Sequence, residues 1–126
     1  MIAEDNLINQ TVALKILEKL GFSCDVVDNG SLAVEAASRR RYSLILMDWH
    51  MPVMDGIEAT IAIRKQEPQG SRIPMVAFTA ACNAPGSEML FAAGLDDCIL
   101  KPAVLADFRA MLQKWLPEVL RDDPSD

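Results

Sequence analysis

Short apolar runs alternate with amphipathic stretches five times along this chain of 126 residues, the pattern of an α/β domain built around a parallel sheet. The runs at 1–3, 23–27, 43–47, 75–78 and 98–100 predict the strands. Leu44-Ile45-Leu46-Met47 shows no alternation, as expected of a central strand covered on both faces. Val12, Ile16, Leu17 and Leu20 recur at helical spacing and predict a first helix over 7–20. Gly21 stops that helix, and Phe22 supplies the apolar contact after the stop. A turn at Asp28-Asn29-Gly30 leads into a second helix over 31–40. Asp55-Gly56-Ile57-Glu58 has capping-box spacing and opens a third helix that runs to Gln66, ended by Pro68 and Gly70. Gly94 ends a fourth helix. A fifth, over 104–116, carries Leu105, Phe108, Met111, Leu112 and Trp115 on its buried side.

Two elements look weak. The first strand has three residues before Glu4, short for a strand, and is expected to be longer in a larger parent protein. The fourth helix opens near Ala84-Pro85-Gly86-Ser87, where glycine weakens helix formation by about 1 kcal/mol relative to alanine. That helix is expected to start late and to be mobile.

The ends of the apolar runs carry the chemistry. Glu4-Asp5 follow the first run, Asp48 closes the third, Thr79 the fourth and Lys101 the fifth. In an open parallel sheet the carboxyl ends of the strands form the ligand crevice. Three carboxylates, a hydroxyl and an ammonium would then meet at one edge. Three clustered carboxylates repel unless a divalent cation joins them, and magnesium takes one or two carboxylates together with water and phosphate oxygens. Asp5 is expected to ligate directly and Glu4 through water. Asp48 can then act as nucleophile toward an activated phosphoryl group, with Lys101 and Thr79 on the spreading charge. Simple metal storage would leave Lys101 and Thr79 without a task.

Composition narrows the classes. Hydrophobic residues at 51% with 24% charged describe a globular domain rather than a disordered chain. A net charge of −6 argues against a nucleic-acid surface. The one basic run, Arg39-Arg40-Arg41, reads as the solvated end of a helix. No apolar stretch has the length of a membrane span and no signal peptide is visible, so no direct membrane contact by this domain is expected. Cys24, Cys82 and Cys98 form an odd set without metal-type spacing. Reduced thiols in a cytoplasmic setting are expected, with Cys98 a small core hydrophobe.

With these residues in place, the chain resembles the receiver domains of response regulators. Leu46-Met47-Asp48-Trp49-His50-Met51-Pro52-Val53-Met54-Asp55-Gly56 is similar to that family's phosphoacceptor segment. Phe78-Thr79-Ala80 and Leu100-Lys101-Pro102 match its hydroxyl and lysine segments in order and spacing. Ala3-Glu4-Asp5-Asn6-Leu7-Ile8-Asn9-Gln10 and Ala92-Ala93-Gly94-Leu95-Asp96-Asp97 are most similar to receivers fused to hybrid sensor histidine kinases. The resemblance spans essentially the whole chain. It implies a single flavodoxin-like (βα)5 domain over 1–120, a five-stranded parallel sheet of order 2-1-3-4-5, and a polar tail over 121–126. It further implies Asp48 as phosphoacceptor, with magnesium held by Asp5, Asp48 and the backbone carbonyl of His50 while Glu4 assists. Thr79 and Lys101 would contact the phosphoryl group, and Lys101-Pro102 is a cis bond in many members. The donor would be a histidine kinase or histidine phosphotransfer domain. The domain would catalyse its own phosphorylation and dephosphorylation, the parent being a cytoplasmic or inner-membrane-anchored histidine kinase.

One position departs from the family. Receivers usually carry tyrosine or phenylalanine three residues before the lysine, and here Cys98 stands there. A cysteine cannot fill or vacate the pocket of a moving ring. Either backbone and fourth-helix motion pass the signal, or the domain hardly switches. A pseudo-receiver, docking partners without phosphorylation, is therefore the alternative. A metal-dependent phosphohydrolase would want a second acid two residues after the nucleophile, where His50 stands. His50 itself is expected at the rim of the site, and Asn6 and Asn9 are expected to cap and orient the first helix.

Overall fold

The computed structural model describes residues 1–49, 54–68, 70, 72–79, 82, 88–101 and 104–116. Its strands are β1 (Ile2–Ala3), β2 (Val26–Val27), β3 (Ile45–Asp48), β4 (Met75–Thr79) and β5 (Asp97–Leu100). They form one sheet of order β2-β1-β3-β4-β5, parallel at every pairing. The connecting helices are α1 (Leu7–Lys19), α2 (Gly30–Arg39), α3 (Gly56–Gln66), α4 (Glu88–Ala93) and α5 (Leu105–Trp115). The parallel α/β fold is the one the apolar pattern predicts, and the strand order is the one the family resemblance implies.

Alternation along the strands sorts the core into two layers. Ile2, Leu46, Val76, Phe78 and Ile99 face α1 and α5, where Ala13, Leu17, Phe108, Met111 and Leu112 meet them. Phe78 and Phe108 pack edge to face at 5.8 Å. The neighbouring strand positions, Ala3, Ile45, Met47, Met75 and Ala77, face Ala33 of α2, Ala59 and Ile63 of α3 and Leu90 of α4. Every residue of β3 and β4 is buried, which is why those runs are apolar without a break. Each fully buried large apolar side chain contributes roughly 1.5–3 kcal/mol.

Capping follows the sequence closely. Asn6 accepts from the Asn9 amide and Asn29 from the Leu32 amide, while Asp55 and Glu58 make the reciprocal box that opens α3. Gly21 and Gly94 close α1 and α4 with positive φ. Arg39 at the end of α2 and Arg40 just after it are exposed, pairing with Glu35 and Asp25. The described part of α4 begins at Glu88. Residues 84–87, where the late start was expected, lie outside the described residues, as do the Lys101-Pro102 bond and the tail.

Two expectations need correction. On α1 the inward face is Gln10, Ala13 and Leu17. Val12 is 44% exposed, and Leu7 and Ile8 are each 73% exposed. The helix turns this way because the Gln10 amide reaches back to the Glu4 carbonyl oxygen and to Asp28. The thiols are the second correction: Cys82 and Cys98 form a disulfide, leaving Cys24 free. Strand β5 and the segment after β4 bring the two Cα atoms to 6.1 Å, inside the range a disulfide can span. Sequence spacing does not show that proximity.

Candidate functional site

The carboxyl ends of β1, β3, β4 and β5 lie side by side, since Ala3 pairs with Met47, Asp48 with Phe78 and Thr79 with Leu100. The chain direction at these ends therefore delivers Glu4, Asp5, Asp48, Thr79 and Lys101 to one edge. Each of Glu4, Asp5 and Asp48 offers an oxygen within 4.8 Å of the others. Glu4 is fully buried, Asp48 and Thr79 are buried, and Asp5 is exposed at the rim. His50 lies outside the described residues.

Lys101 ties the acids together. Its Nζ stands 2.5 Å from Glu4 Oε1 and 3.2 Å from Asp48 Oδ1, with the Phe78 ring 4.8 Å beneath it. That ring adds a cation–π attraction on a partly desolvated ammonium. The Lys101 amide donates to the Thr79 carbonyl oxygen, fixing the end of β5 against the end of β4. Glu4 Oε2, by contrast, is buried with no hydrogen-bond partner. An orphaned carboxylate oxygen costs several kcal/mol unless a proton or a cation meets it. The donor set of hard oxygens with one unsatisfied atom fits a divalent cation of the magnesium class.

The pair Glu4–Asp48 divides its protons unequally. Burial pushes the Asp48 carboxyl up, and its hydrogen bond to Glu4 and the charge of Glu4 push it further, to about 7. Burial acts on Glu4 in the same direction, but hydrogen bonds with Asp48, Lys101 and Asn9 outweigh it and hold Glu4 below its usual range. Without a cation, burial and the neighbouring Glu4 thus favour the protonated form of Asp48. A positive ion at the cluster would favour the ionised form of Asp48.

Residues beyond the predicted set shape the site. Gly56 begins α3 with its amide donating to Trp49 O at 2.8 Å, and a Cβ there would collide with the Asp48 carbonyl oxygen. Gly30 makes the same kind of contact at the start of α2, against Met54 O. Both helix starts press on the segment that leaves Asp48. Gln10 was legible in principle, as the one amide on the apolar stripe with Ala13 and Leu17. Asn9 lies close enough to Glu4 to help hold its carboxyl below the usual range.

A doubly wound parallel sheet builds its ligand crevice at the carboxyl ends of its strands, and here that edge gathers buried acids, a hydroxyl and a lysine. The family profile described as response regulator receiver domain matches residues 1–113, and the chain belongs to that family. It is 40% identical to hybrid signal transduction histidine kinase G of Dictyostelium discoideum, over 95% of this chain and 4% of that protein. Among solved structures it is similar to the receiver domain of a Pseudomonas aeruginosa sensor histidine kinase. That domain was crystallised with a magnesium ion coordinated in its active-site cleft (TM-score 0.85, 41% identity, covering 92% of this chain and 94% of that one). A third likeness is to the co-crystal of the Saccharomyces cerevisiae histidine phosphotransfer protein Ypd1 with the receiver domain of its downstream response regulator Ssk1. There the TM-score is 0.83 at 28% identity, covering 98% of this chain and 91% of that one. The chain spans only a small fraction of the curated relatives it matches.

Proposed function

We propose that Asp48 is the phosphoacceptor of a magnesium-dependent phosphorelay step, supplied by a phosphohistidine on a histidine kinase or histidine phosphotransfer domain. The observation that carries this reading is the buried Glu4–Lys101–Asp48 bridge with its orphaned Glu4 oxygen. Such an arrangement is costly as mere structure and is suited to a cation and a phosphoryl group. Glu4, Asp5, Asp48 and the backbone carbonyl of His50 would hold the magnesium ion. When bound, the ion offsets the charge of the carboxylates and of the phosphoryl oxygens.

The residues then divide the work. An Asp48 oxygen attacks phosphorus, the P–N bond to the donor imidazole breaks, and an acyl phosphate remains on Asp48. Lys101 leaves its bridge for a phosphoryl oxygen, and the Thr79 hydroxyl donates to another. The apolar residues Leu7, Ile8 and Val12 stand exposed on α1 beside the site. Leu105, at the start of α5, lines a groove with Ile16 of α1. An exposed apolar patch at the mouth of a site suits a docked donor protein. Residues 1–120 form the receiver domain and 121–126 a polar tail in this reading, supported by the profile match to 113 and the end of α5 at Trp115. The parent is a hybrid histidine kinase in this reading, supported by the kinase relatives, with this domain on the cytoplasmic side. Among the described residues no helix is long and apolar enough to cross a membrane.

A titration with beryllium fluoride, a phosphoryl mimic, tests the proposal through the fluorescence of Trp49, which adjoins Asp48. The expected change needs magnesium and disappears in Asp48→Asn. Binding that ignores either condition would overturn the assignment.

A further inference from the structure

The Cys82–Cys98 bridge ties the segment that follows β4 to the second residue of β5. Cys82 comes three residues after Thr79, and Cys98 three residues before Lys101. Cys98 pairs in register with Ala77, and its side chain packs on the layer that includes Leu90 of α4. The bridge spans 16 positions of sequence, and α4 lies wholly within that span. One covalent bond therefore closes α4 into a loop whose two ends are β4 and β5.

Both cysteines are only half-buried, so a small thiol can reach them. The reduced state also has a place for its hydrogen: Cys82 Sγ lies 3.8 Å from the Thr79 carbonyl oxygen, to which a thiol can donate. Cys24, on the far side of the sheet, packs on the α1–α5 layer and does not compete. Burial pushes its thiol up, which keeps it protonated and slow to react. A phosphorelay domain working in the cytoplasm meets a reducing thiol pool, where disulfides that form belong to the transient, redox-sensing kind.

We propose that Cys82 and Cys98 are a thiol–disulfide exchange site that fixes α4 against β5 when oxidised and frees it when reduced. The co-reactants are a low-molecular-weight thiol and its disulfide. A thiolate attacks one cysteine sulfur, breaks the protein S–S bond and forms a mixed disulfide. A second thiolate then attacks the small-molecule sulfur, releasing the oxidised small disulfide. Two electrons pass to the protein, and each cysteine sulfur takes up one proton. The inference rests on the receiver reading for its purpose, namely a redox gate on the surface that reports phosphorylation, but not for its chemistry.

The test equilibrates the chain in mixtures of reduced and oxidised glutathione, then traps free thiols with a maleimide for mass spectrometry. One thiol is expected under oxidised glutathione and three under the reduced form. Hydrogen exchange over Glu88–Ala93 is expected to slow about tenfold on oxidation, the tether removing open states. Cys82→Ser and Cys98→Ser each abolish the difference, while reduced unmutated protein controls for any folding defect of the variants. Three thiols at every poise, or equal exchange in both states, would overturn the proposal. Loss of beryllium fluoride binding in both redox states would instead strike the receiver reading, with the thiol count and exchange rates still deciding this one.

Discussion

At the scale of single residues, the site is a balance between burial and charge. Asp48 and Glu4 are carboxyls placed where water cannot solvate them, and Lys101 meets one oxygen of each but not Glu4 Oε2. The imbalance has a measurable pH signature. The Asp48 carboxyl is raised from 3.8 to about 7 by folding, so between those values the folded state binds more protons than the unfolded one. Stability of the metal-free protein is then lost as pH rises through that window. Glu4 is shifted down, and its opposite contribution falls at lower pH, below its usual 4.5. A cation that displaces the proton from Asp48 should therefore stabilise the fold more at pH 8 than at pH 5. Thermal melts with and without magnesium at the two pH values check this, and equal shifts at both would contradict it. That Asp48, Thr79, Lys101, Glu4 and Asp5 meet at one edge was readable from sequence, because they follow or close the apolar runs. The partners of Lys101 were not. Whether an ammonium bridges Glu4 and Asp48 or points to solvent depends on side-chain directions at strand ends 97 and 53 positions apart.

At the scale of elements, the helix starts matter as much as the strand ends. Residue Gly56 does two things at once: it begins α3, and it lets the backbone after Asp48 lie against that helix. Gly56→Ala keeps good helix propensity yet drives a methyl group into the Asp48 carbonyl. A loss of roughly 1–3 kcal/mol is expected, with weakened beryllium fluoride binding, measurable by urea denaturation and by titration. A neutral or stabilising result would show that the contact gives way freely. Helices α1, α2, α3 and α5 were legible within one or two residues, since caps and apolar spacing agree there. The rotation of α1 was not. Periodicity alone favoured Val12, whereas the bond from Gln10 to the Glu4 carbonyl selects a face one position over. Strand β2 is shorter than its apolar run, because only Val26 and Val27 reach the register of β1.

At the scale of the whole molecule, one edge of the sheet gathers the acids, the hydroxyl and the lysine, and the opposite end is braced. Arg64 of α3 holds Asp96, Glu67 and the carbonyl oxygens of Gly94 and Ile73 in a largely buried network. Asp96 also accepts from the Met75 amide at the start of β4. The brace fixes the far ends of β4 and β5, so that change at their near ends, around Thr79 and Lys101, need not disturb the core. No pattern of apolar spacing announces such a brace. It joins residues 30 and 32 positions apart through polar atoms. The central claim is that this edge accepts a phosphoryl group on Asp48. Incubation with phosphoramidate, whose P–N bond stands in for phosphohistidine, followed by intact mass and peptide mapping, tests it most directly. The expected result is one phosphoryl group per chain, carried on the Asp48 peptide, dependent on magnesium and absent from Asp48→Asn. A phosphoryl group at another residue, or none on the magnesium-loaded protein, would contradict the account.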